Sequence, residues 1–341
     1  MRLKKISLIL TLLVVIFSLY SCNGMENKKS TNQLFAMDTI IDVTIYGENA
    51  EKEIQKCSKE LNRLEKLFSV NIESSDIAKI NKANGEKVKV SKDTINVLKK
   101  AVEISNNTDG DFDITVFPIV KLYGFTTGKE AVPTQKEIDE TIKLVNYKDI
   151  KIDGDTVQLK KDMQIDLGGI AKGYTGEKLL EMLKNDGVSK AIISIGGNVQ
   201  TVGSKSNTED WKVGVQNPDD KSVLATLEVG ETSVITSGAY QRNMTIDGKF
   251  YHHIIDPKTG KPSDSGLKSV TIINKDGTSG DALATALFVK GTKDAIEYAK
   301  DNVKNIEVVI IDEKNNIYVS VSLKDKFKLA NENTNFNIKY I

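Results

Sequence analysis

The segment SGDALATALFVKG, residues 279–291, predicts a short helix directly after a β-rich run, SVTIINKDGT, at 269–278. Thr278 or Ser279 can cap the start of this helix, because a hydroxyl accepts a hydrogen bond from a free N–H group of the first turn. Gly291 can end the helix, because glycine readily adopts the left-handed conformation found there.

Asp281 and Thr285 are four residues apart and therefore lie on one face of the predicted helix. The apolar stripe does not need them, since Leu283 and Leu287 fall on other faces. A carboxylate and a hydroxyl one turn apart suit a hard cation such as Mg²⁺. A plainer interpretation is a capped helix whose Asp favours the positive end of the helix dipole.

Composition limits the classes of function. The chain has 341 residues, with 47 basic and 47 acidic side chains and a formal net charge of zero. Without a basic bias or a basic stripe with interleaved aromatic residues, we expect no nucleic-acid partner. With 39% hydrophobic residues, the chain can bury a full core.

The N-terminus predicts export. Arg2, Lys4 and Lys5 precede an apolar run at 6–19, which is typical of a secretory signal at 1–21. The sequence LYSC at 19–22 resembles a bacterial lipobox, with Cys22 as the lipidated residue. We therefore expect a membrane tether at 22–33 and a globular domain at 34–335 on the extracytoplasmic face of the cell membrane. An uncleaved N-terminal anchor is the alternative, although the apolar run is short for a span.

Apolar periodicity predicts an α+β fold with a largely antiparallel sheet. Predicted strands and helices do not alternate regularly, as they would in a parallel α/β fold, and the chain is not made of strands only. Cys57 lies on the apolar face of the first helix, where a buried, inert thiol is expected. The sequence predicts helices at 48–68, 91–104, 134–145, 171–184 and 292–302, and strands at 34–46, 150–152, 156–159, 164–167, 190–195, 211–216, 223–229, 233–236, 243–246, 268–273, 307–311 and 317–321.

Three further segments can carry chemistry. DLGGIAKGY at 166–174 joins a predicted strand to a helix start, where backbone N–H groups and Lys172 favour binding of a phosphate. A tight turn with a surface lysine explains this segment equally well.

HHIIDPKTGKP at 252–262 contains the only two histidines of the chain. Neighbouring residues of an extended segment alternate sides, so at most one of them can act as a base. TSGAYQR at 236–242 lacks the G-x-S-x-G pattern of a serine hydrolase.

Together these segments resemble the bacterial ApbE-type FAD:protein FMN transferases. The matching elements occur in family order over about residues 35–312: FAMDT (35–39), SSDIAKIN (74–81), DGDFDITVFPIVKLYGF (109–125), DLGGIAKGY, ISIGGNV (193–199), TSGAYQR, HHIIDPKTGKP and DALATALFVKG (281–291). The resemblance implies an ApbE-like, T-fold-like architecture. It also implies a lipoprotein that uses FAD and Mg²⁺, moves FMN onto a Thr or Ser of an exported acceptor protein, such as an electron-transfer subunit or an FMN-binding-domain protein, and releases AMP.

The resemblance also implies roles for residues. Asp281, Thr285 and the carbonyl of Ala171 would bind the metal. His253 would be the base for the acceptor hydroxyl, Asp256 would orient its loop, and Lys172 would face a phosphate. The flavin and adenosine pockets would be lined by Met37, Thr39, Asn71, Asp113, Gly196, Gly197 and Ser237.

The chain departs from the family pattern at Asp38, where Gly is commoner, at Ala239, where Asp is frequent, and at Asn71, where an aromatic residue often covers the flavin. An asparagine cannot stack on the ring, which raises the alternative that water competes and FAD is hydrolysed to FMN and AMP. A flavin-binding lipoprotein without turnover is the alternative from another class.

Overall fold

A computed structural model describes residues 28–126, 128–206, 208–331 and 335–341. Within these ranges the helices are α1 (Ala50–Phe68), α2 (Asp76–Lys82), α3 (Lys92–Asn107), α4 (Phe117–Leu122), α5 (Gln135–Thr141), α6 (Ala171–Asn185), α7 (Gly277–Lys290) and α8 (Thr292–Asp301). The strands are β1 (Lys29–Ala36), β2 (Thr39–Tyr46), β3 (Val88–Lys89), β4 (Lys151–Asp153), β5 (Thr156–Gln158), β6 (Ala191–Ile195), β7 (Asn198–Val202), β8 (Trp211–Gln216), β9 (Val223–Val229), β10 (Ser233–Gly238), β11 (Asn243–Ile246), β12 (Lys249–His252), β13 (Ile255–Asp256), β14 (Lys261–Pro262), β15 (Leu267–Asn274), β16 (Glu307–Asp312), β17 (Asn316–Val319), β18 (Phe327–Leu329) and β19 (Asn337–Tyr340).

A nine-stranded sheet organises the fold, with the strand order β1-β2-β6-β7-β10-β15-β16-β17-β19. Neighbouring strands are antiparallel except β17 and β19, which are parallel. The predicted α+β fold with a largely antiparallel sheet is therefore confirmed. Smaller sheets pair β18-β9-β8, β3-β5-β4, β11-β12 and β13-β14.

Helices cover one face of the large sheet. The inward residues of β2 and β6, such as Val43 and Ile193, pack against α1 and α6, and α7 packs over β15 through Leu287 and Phe288. The three-stranded sheet β18-β9-β8 covers part of the other face. Among the described ranges, no helix has both the length and the apolar character that a bilayer span requires.

The prediction of one continuous strand at 34–46 was wrong, because two strands occupy this range. Residues 34–46 form part of a hairpin whose turn is Met37–Asp38, with φ angles of 54° and 56°. A two-residue hairpin turn with positive φ at both positions favours Asn and Gly, so this sequence gave no turn signal. Strand β1 begins at Lys29, so the end of the predicted tether at 22–33 belongs to the sheet. The signal segment and Cys22 lie outside the described residues.

The predicted strand at 164–167 is also absent from the described structure, although the backbone is satisfied there. The N–H of Ile165 donates to Asn81 Oδ1 at 2.8 Å, and its carbonyl accepts from Asn81 Nδ2 at 2.9 Å. One side chain therefore replaces a neighbouring strand. The thiol of Cys57 is buried as predicted, and burial raises its pKa to about 12.

Candidate functional site

Two hairpin turns and one strand end meet at the same end of the large sheet. β2 pairs with β6 through Ile41 and Ile195, which places the turn Met37–Asp38 beside the turn Gly196–Gly197. The chain approaches there so closely that a Cβ on Gly196 would lie 2.6 Å from Thr39 Oγ1. The sheet end therefore brings together the predicted flavin-site residues of both turns.

Asp281 lies at the centre of this end, on the second turn of α7, and is only 2% exposed. Its carboxylate accepts hydrogen bonds from the Gly173 N–H and from Asn198 Nδ2, each at 2.9 Å. Lys172 Nζ lies 3.8 Å from Asp281 Oδ1. A carboxylate offers about four acceptor positions, so two remain available to a ligand.

Helices α6 and α7 approach closely beside Asp281. A Cβ on Gly173 would lie 2.2 Å from the Gly277 carbonyl oxygen and 2.7 Å from Asp281 Cβ. Gly173 therefore allows the Asp281 carboxylate to reach the first turn of α6. Helix α7 begins earlier than predicted, because Asp276 rather than Thr278 or Ser279 caps it, by accepting from the Ser279 N–H at 2.8 Å.

The bond from Gly173 to Asp281 changes the hydrogen bonding of the turn before α6. In a regular helix the N–H of residue 173 would donate to the carbonyl of residue 169. Here that N–H donates to Asp281, and the Gly169 carbonyl accepts no hydrogen bond from the described residues. A Cβ on Gly169 would lie 3.4 Å from Thr285 Oγ1, so this glycine is beside the second predicted metal ligand.

Thr285 and Ser237 bring two hydroxyls to the same place. Their Oγ atoms are 3.1 Å apart, and Ser237 is the penultimate residue of β10. Thr285 Oγ1 is also 3.5 Å from its own helix carbonyl at Asp281. The hydroxyl of Ser237 therefore lies beside the predicted metal ligand Thr285.

Asp166 was not predicted as a site residue, yet it lies with the site's charged groups. Its Oδ2 accepts from the Gly168 N–H at 3.0 Å, while Lys172 Nζ donates to the Gly168 carbonyl at 3.2 Å. Burial raises the pKa of Asp166, and the cations of Arg242 and Lys172 act in the opposite direction. A shifted carboxyl beside two cations is characteristic of functional sites.

His253 is half-buried, and the structure defines which nitrogen can act as a base. Its Nδ1 lies 3.0 Å from the Arg242 carbonyl, which can only accept, so Nδ1 carries the proton and Nε2 carries the lone pair. Burial, together with the nearby cations of Arg242 and Lys172, lowers the pKa of His253 to about 4. His253 is therefore neutral at physiological pH.

His252 has a different position, as the alternation of an extended segment predicts. It is 7% exposed, its Nε2 donates to the Ser263 carbonyl at 3.0 Å, and its ring meets that of Phe288 edge-on. Its contacts are those of a core residue that docks the segment on α7.

Asp256 organises the hairpin that follows His253. Its carboxylate accepts from the Lys258 N–H at 2.8 Å and from Thr259 Oγ1 at 2.9 Å, and its carbonyl accepts from the Gly260 N–H at 2.9 Å. With both carboxylate oxygens engaged in its own turn, Asp256 is a positioning residue in this structure.

Asp111 links this hairpin to the far end of α7. Its carboxylate lies 2.7 Å from Lys258 Nζ and 2.7 Å from Lys290 Nζ, and it is 5% exposed. The DGDFD segment thereby connects the loop of His253 to the helix of Asp281. This role was not predicted, since nothing in the local sequence indicates partners so far along the chain.

The remaining predicted residues are less central. Asp113 is buried and accepts from the N–H groups of Thr115 and Tyr147 and from Thr115 Oγ1, which are the bonds of a structural cap. It borders a cavity of about 280 Å³ beside Lys258.

Asn71 is exposed on the loop after α1. The Met37 N–H donates to Glu65 Oε1 at 2.7 Å, which holds the turn against α1.

The donor set at Asp281 fits a hard cation. Within the described ranges no three His, Cys, Asp or Glu side chains cluster as a metal site. The available oxygens are one carboxylate, one hydroxyl and one free carbonyl, and such oxygen donors are the ones that Mg²⁺ takes while retaining waters. Asn198 is only 1% exposed, and its Oδ1 has no hydrogen-bond partner among the described residues. It adds one more oxygen at this position.

Comparison with known proteins identifies the family of the chain. The FAD:protein FMN transferases of Klebsiella pneumoniae and Vibrio cholerae are each 32% identical to the chain, over 78% and 80% of its length and 84% and 83% of theirs. The crystal structure of the ApbE protein from Thermotoga maritima superposes with a TM-score of 0.83 at 33% identity, covering 88% of this chain and 99% of that one. The profile of the ApbE family matches residues 37–310, and the chain therefore belongs to the ApbE family.

Proposed function

We propose that the protein transfers FMN from FAD to a Thr or Ser hydroxyl of an exported acceptor protein and releases AMP. The observation that carries the proposal is the buried carboxylate of Asp281, with the Thr285 hydroxyl one turn further along α7 and Gly169 packed beside that hydroxyl. The relatives named FAD:protein FMN transferase support the same reaction.

Mg²⁺ would be held by Asp281, Thr285 and a backbone carbonyl. We prefer the carbonyl of Gly169 to that of Ala171, because residue 171 starts α6 and its carbonyl joins the helical hydrogen bonds, whereas Gly169 has a free one. When bound, the ion supplies charge neutralisation and orientation of the pyrophosphate, which are the main requirements of phosphoryl transfer.

The chain's own residues move the proton. The acceptor oxygen attacks the phosphorus of the FMN half, a new phosphoester bond forms, and the bond from that phosphorus to the oxygen bridging to AMP breaks. The hydroxyl proton passes to Nε2 of His253, and AMP leaves with the bond's electron pair. Asp256 holds the His253 loop, and Lys172, whose side chain is 24% exposed, can turn from Asp281 to a phosphate oxygen.

The flavin and adenosine would lie against the sheet end formed by Met37, Thr39, Gly196, Gly197 and Ser237. Asn71 is exposed on the loop after α1 and has no aromatic ring with which to cover the flavin. This favours hydrolysis of FAD to FMN and AMP as the second candidate. Equal AMP release without acceptor in the wild type and in Asn71→Tyr would reject it.

We further propose that a lipid on Cys22 anchors the protein to the extracytoplasmic face of the cell membrane. The proposal rests on the n-region, the apolar run and the LYSC sequence at 19–22. Metabolic labelling with a fatty acid tests it, since Cys22→Ser would remove the label and release the protein from membranes.

The test of function uses the chain from Asn23 onward with FAD, Mg²⁺ and an FMN-binding-domain protein purified without flavin. We expect AMP release together with fluorescent acceptor on a denaturing gel, both lost in Asp281→Ala and both retained in Asp294→Ala, which removes an exposed carboxylate from α8. AMP without labelled acceptor would favour the hydrolase. Tight FAD binding with neither product would favour a flavin-binding lipoprotein.

A further inference from the structure

A small hairpin projects from the residues that hold His253. Strands β11 and β12 pair through Asn243–His252, Met244–Tyr251, Thr245–Phe250 and Ile246–Lys249. The next pair along is Arg242 and His253, whose N–H donates to the Arg242 carbonyl at 3.1 Å. The proposed base is therefore the residue that directly follows β12.

One face of the hairpin is fixed to the protein. Met244 is 3% exposed and packs in a cluster with Ile119 and Ile255. The ring of Tyr251 lies 6.4 Å from that of Tyr123. These contacts hold the hairpin in one orientation relative to His253.

The opposite face carries Phe250, which is 51% exposed and whose ring lies 6.2 Å from that of the buried His252. Its cross-strand neighbour Thr245 is exposed as well. A large exposed aromatic residue is characteristic of surfaces that bind a partner. In the described chain this sheet has two strands only, so the outer edge of β12 has unpaired backbone groups. Such an edge can bind an extended segment as an added strand.

We propose that the outer edge of β12, together with Phe250, binds an extended segment of the acceptor protein that carries an apolar side chain near its Thr or Ser. The inference rests on the proposed transferase function. Because His253 is the residue that directly follows β12, a segment paired along this strand would bring its hydroxyl close to the proposed base. Main-chain pairing supplies affinity for any extended segment, and contact with Phe250 supplies selection for the apolar side chain.

The test is Phe250→Ser, assayed with the same flavin-free FMN-binding-domain protein. We expect the KM for the acceptor to rise about tenfold, because the variant loses one well-placed aromatic contact with the acceptor. The affinity for FAD and the acceptor-free release of AMP should not change. Phe35→Ser is the matched control, because Phe35 is 72% exposed on β1, outside the hairpin. An unchanged KM in Phe250→Ser, or an equal rise in Phe35→Ser, would overturn the proposal.

Hydrogen exchange of the wild type gives a second measurement that does not depend on a variant. We expect the acceptor to protect amides of 249–252 and not those of β1. Normal labelling of the acceptor without this protection would refute the docking site while leaving the transferase function intact. If the wild type labels no acceptor and releases no AMP, the proposed function itself fails.

Discussion

At the scale of single residues, His253 is defined by the groups around it. Its Nδ1 is bonded to a backbone carbonyl, and two cations face it from Arg242 and Lys172. The carbonyl selects the tautomer with its lone pair on Nε2, while burial and the two cations favour the neutral imidazole. The residue is therefore ready to accept a proton across the physiological range without first losing one.

The pKa of His253 gives a prediction that needs neither substrate nor metal. Because the folded-state pKa is lowered from 6.5 to about 4, the ring should stay neutral as the pH falls to about 5 and protonate near 4. The unfolded chain binds this proton at higher pH, so the contribution of His253 to stability falls as the pH drops from 6.5 towards 4.

Proton NMR can follow this titration, since the chain has only two histidines. We expect Arg242→Gln to raise the pKa of His253, because it removes a cation and leaves the backbone carbonyl in place. A midpoint near 6.5 in the wild type, or a fall in the variant, would contradict the assignment.

Sequence reasoning found the residues with local signals and missed those that depend on distant partners. Asp281, Thr285 and His253 stand in segments whose pattern and family resemblance identify them. Asn198 is 83 positions from Asp281, to which it donates, and the short sequence GGN gives no indication of that bond. Long-range hydrogen bonds leave no periodic signature.

At the scale of elements, the approach of α6 to α7 determines whether the site exists. Gln200, 2% exposed, donates to the Gly173 carbonyl at 2.9 Å from the sheet beneath, so the two helices and β7 meet at one point. The contact at Gly173 is with backbone atoms, which cannot move aside as a flexible side chain can.

We therefore expect Gly173→Ala to lower the free energy of unfolding by about 1–3 kcal/mol and to abolish FMN transfer, since overpacking separates the helices. Chemical denaturation and the acceptor assay measure the two effects. Gly214→Ala is the control, because a Cβ there would lie 3.6 Å from Val223, an ordinary contact on an exposed strand position. Equal stability of the two variants would contradict this account.

Helices and strands whose apolar residues recur at a regular spacing were predictable, and irregular segments were not. The helix α1 and the strands β8 and β9 follow from their apolar spacing. A capping box formed by Thr134 and Glu137 starts the helix that was predicted at 134–145. The turn at Met37–Asp38 was missed and the strand at 164–167 was wrongly predicted, because the side chains of Glu65 and Asn81, distant in sequence, supply the bonds that fix these segments.

At the scale of the whole molecule, the large sheet has β1 at one edge and β19 at the other. The class of the fold followed from the order of elements, whereas the strand order did not, since β7 pairs with β10 and β10 with β15 across intervening segments. Such pairings depend on tertiary packing that spacing alone does not encode.

The position of β1 gives a prediction about where the folded unit begins. A chain starting at Lys28 should unfold at the same temperature as one starting at Asn23. A chain starting at Met37 should unfold at a lower temperature and self-associate, because it loses Ala36 from the core and exposes β2 as a long edge. Thermal denaturation and size-exclusion chromatography distinguish these outcomes. Equal behaviour of all three chains would show that β1 is dispensable.

Helix α7 also acts as a spacer of fixed length. Asp281 near its start faces the proposed metal, and Lys290 at its end is tied through Asp111 to the hairpin of Asp256. The nine residue steps from Asp281 to Lys290 span about 13.5 Å, and one inserted residue would displace the two ends by about 1.5 Å and rotate them by about 100°. Evolution can therefore vary the composition of this helix, but an insertion or deletion within it would put the phosphate end and the proton-accepting end out of phase.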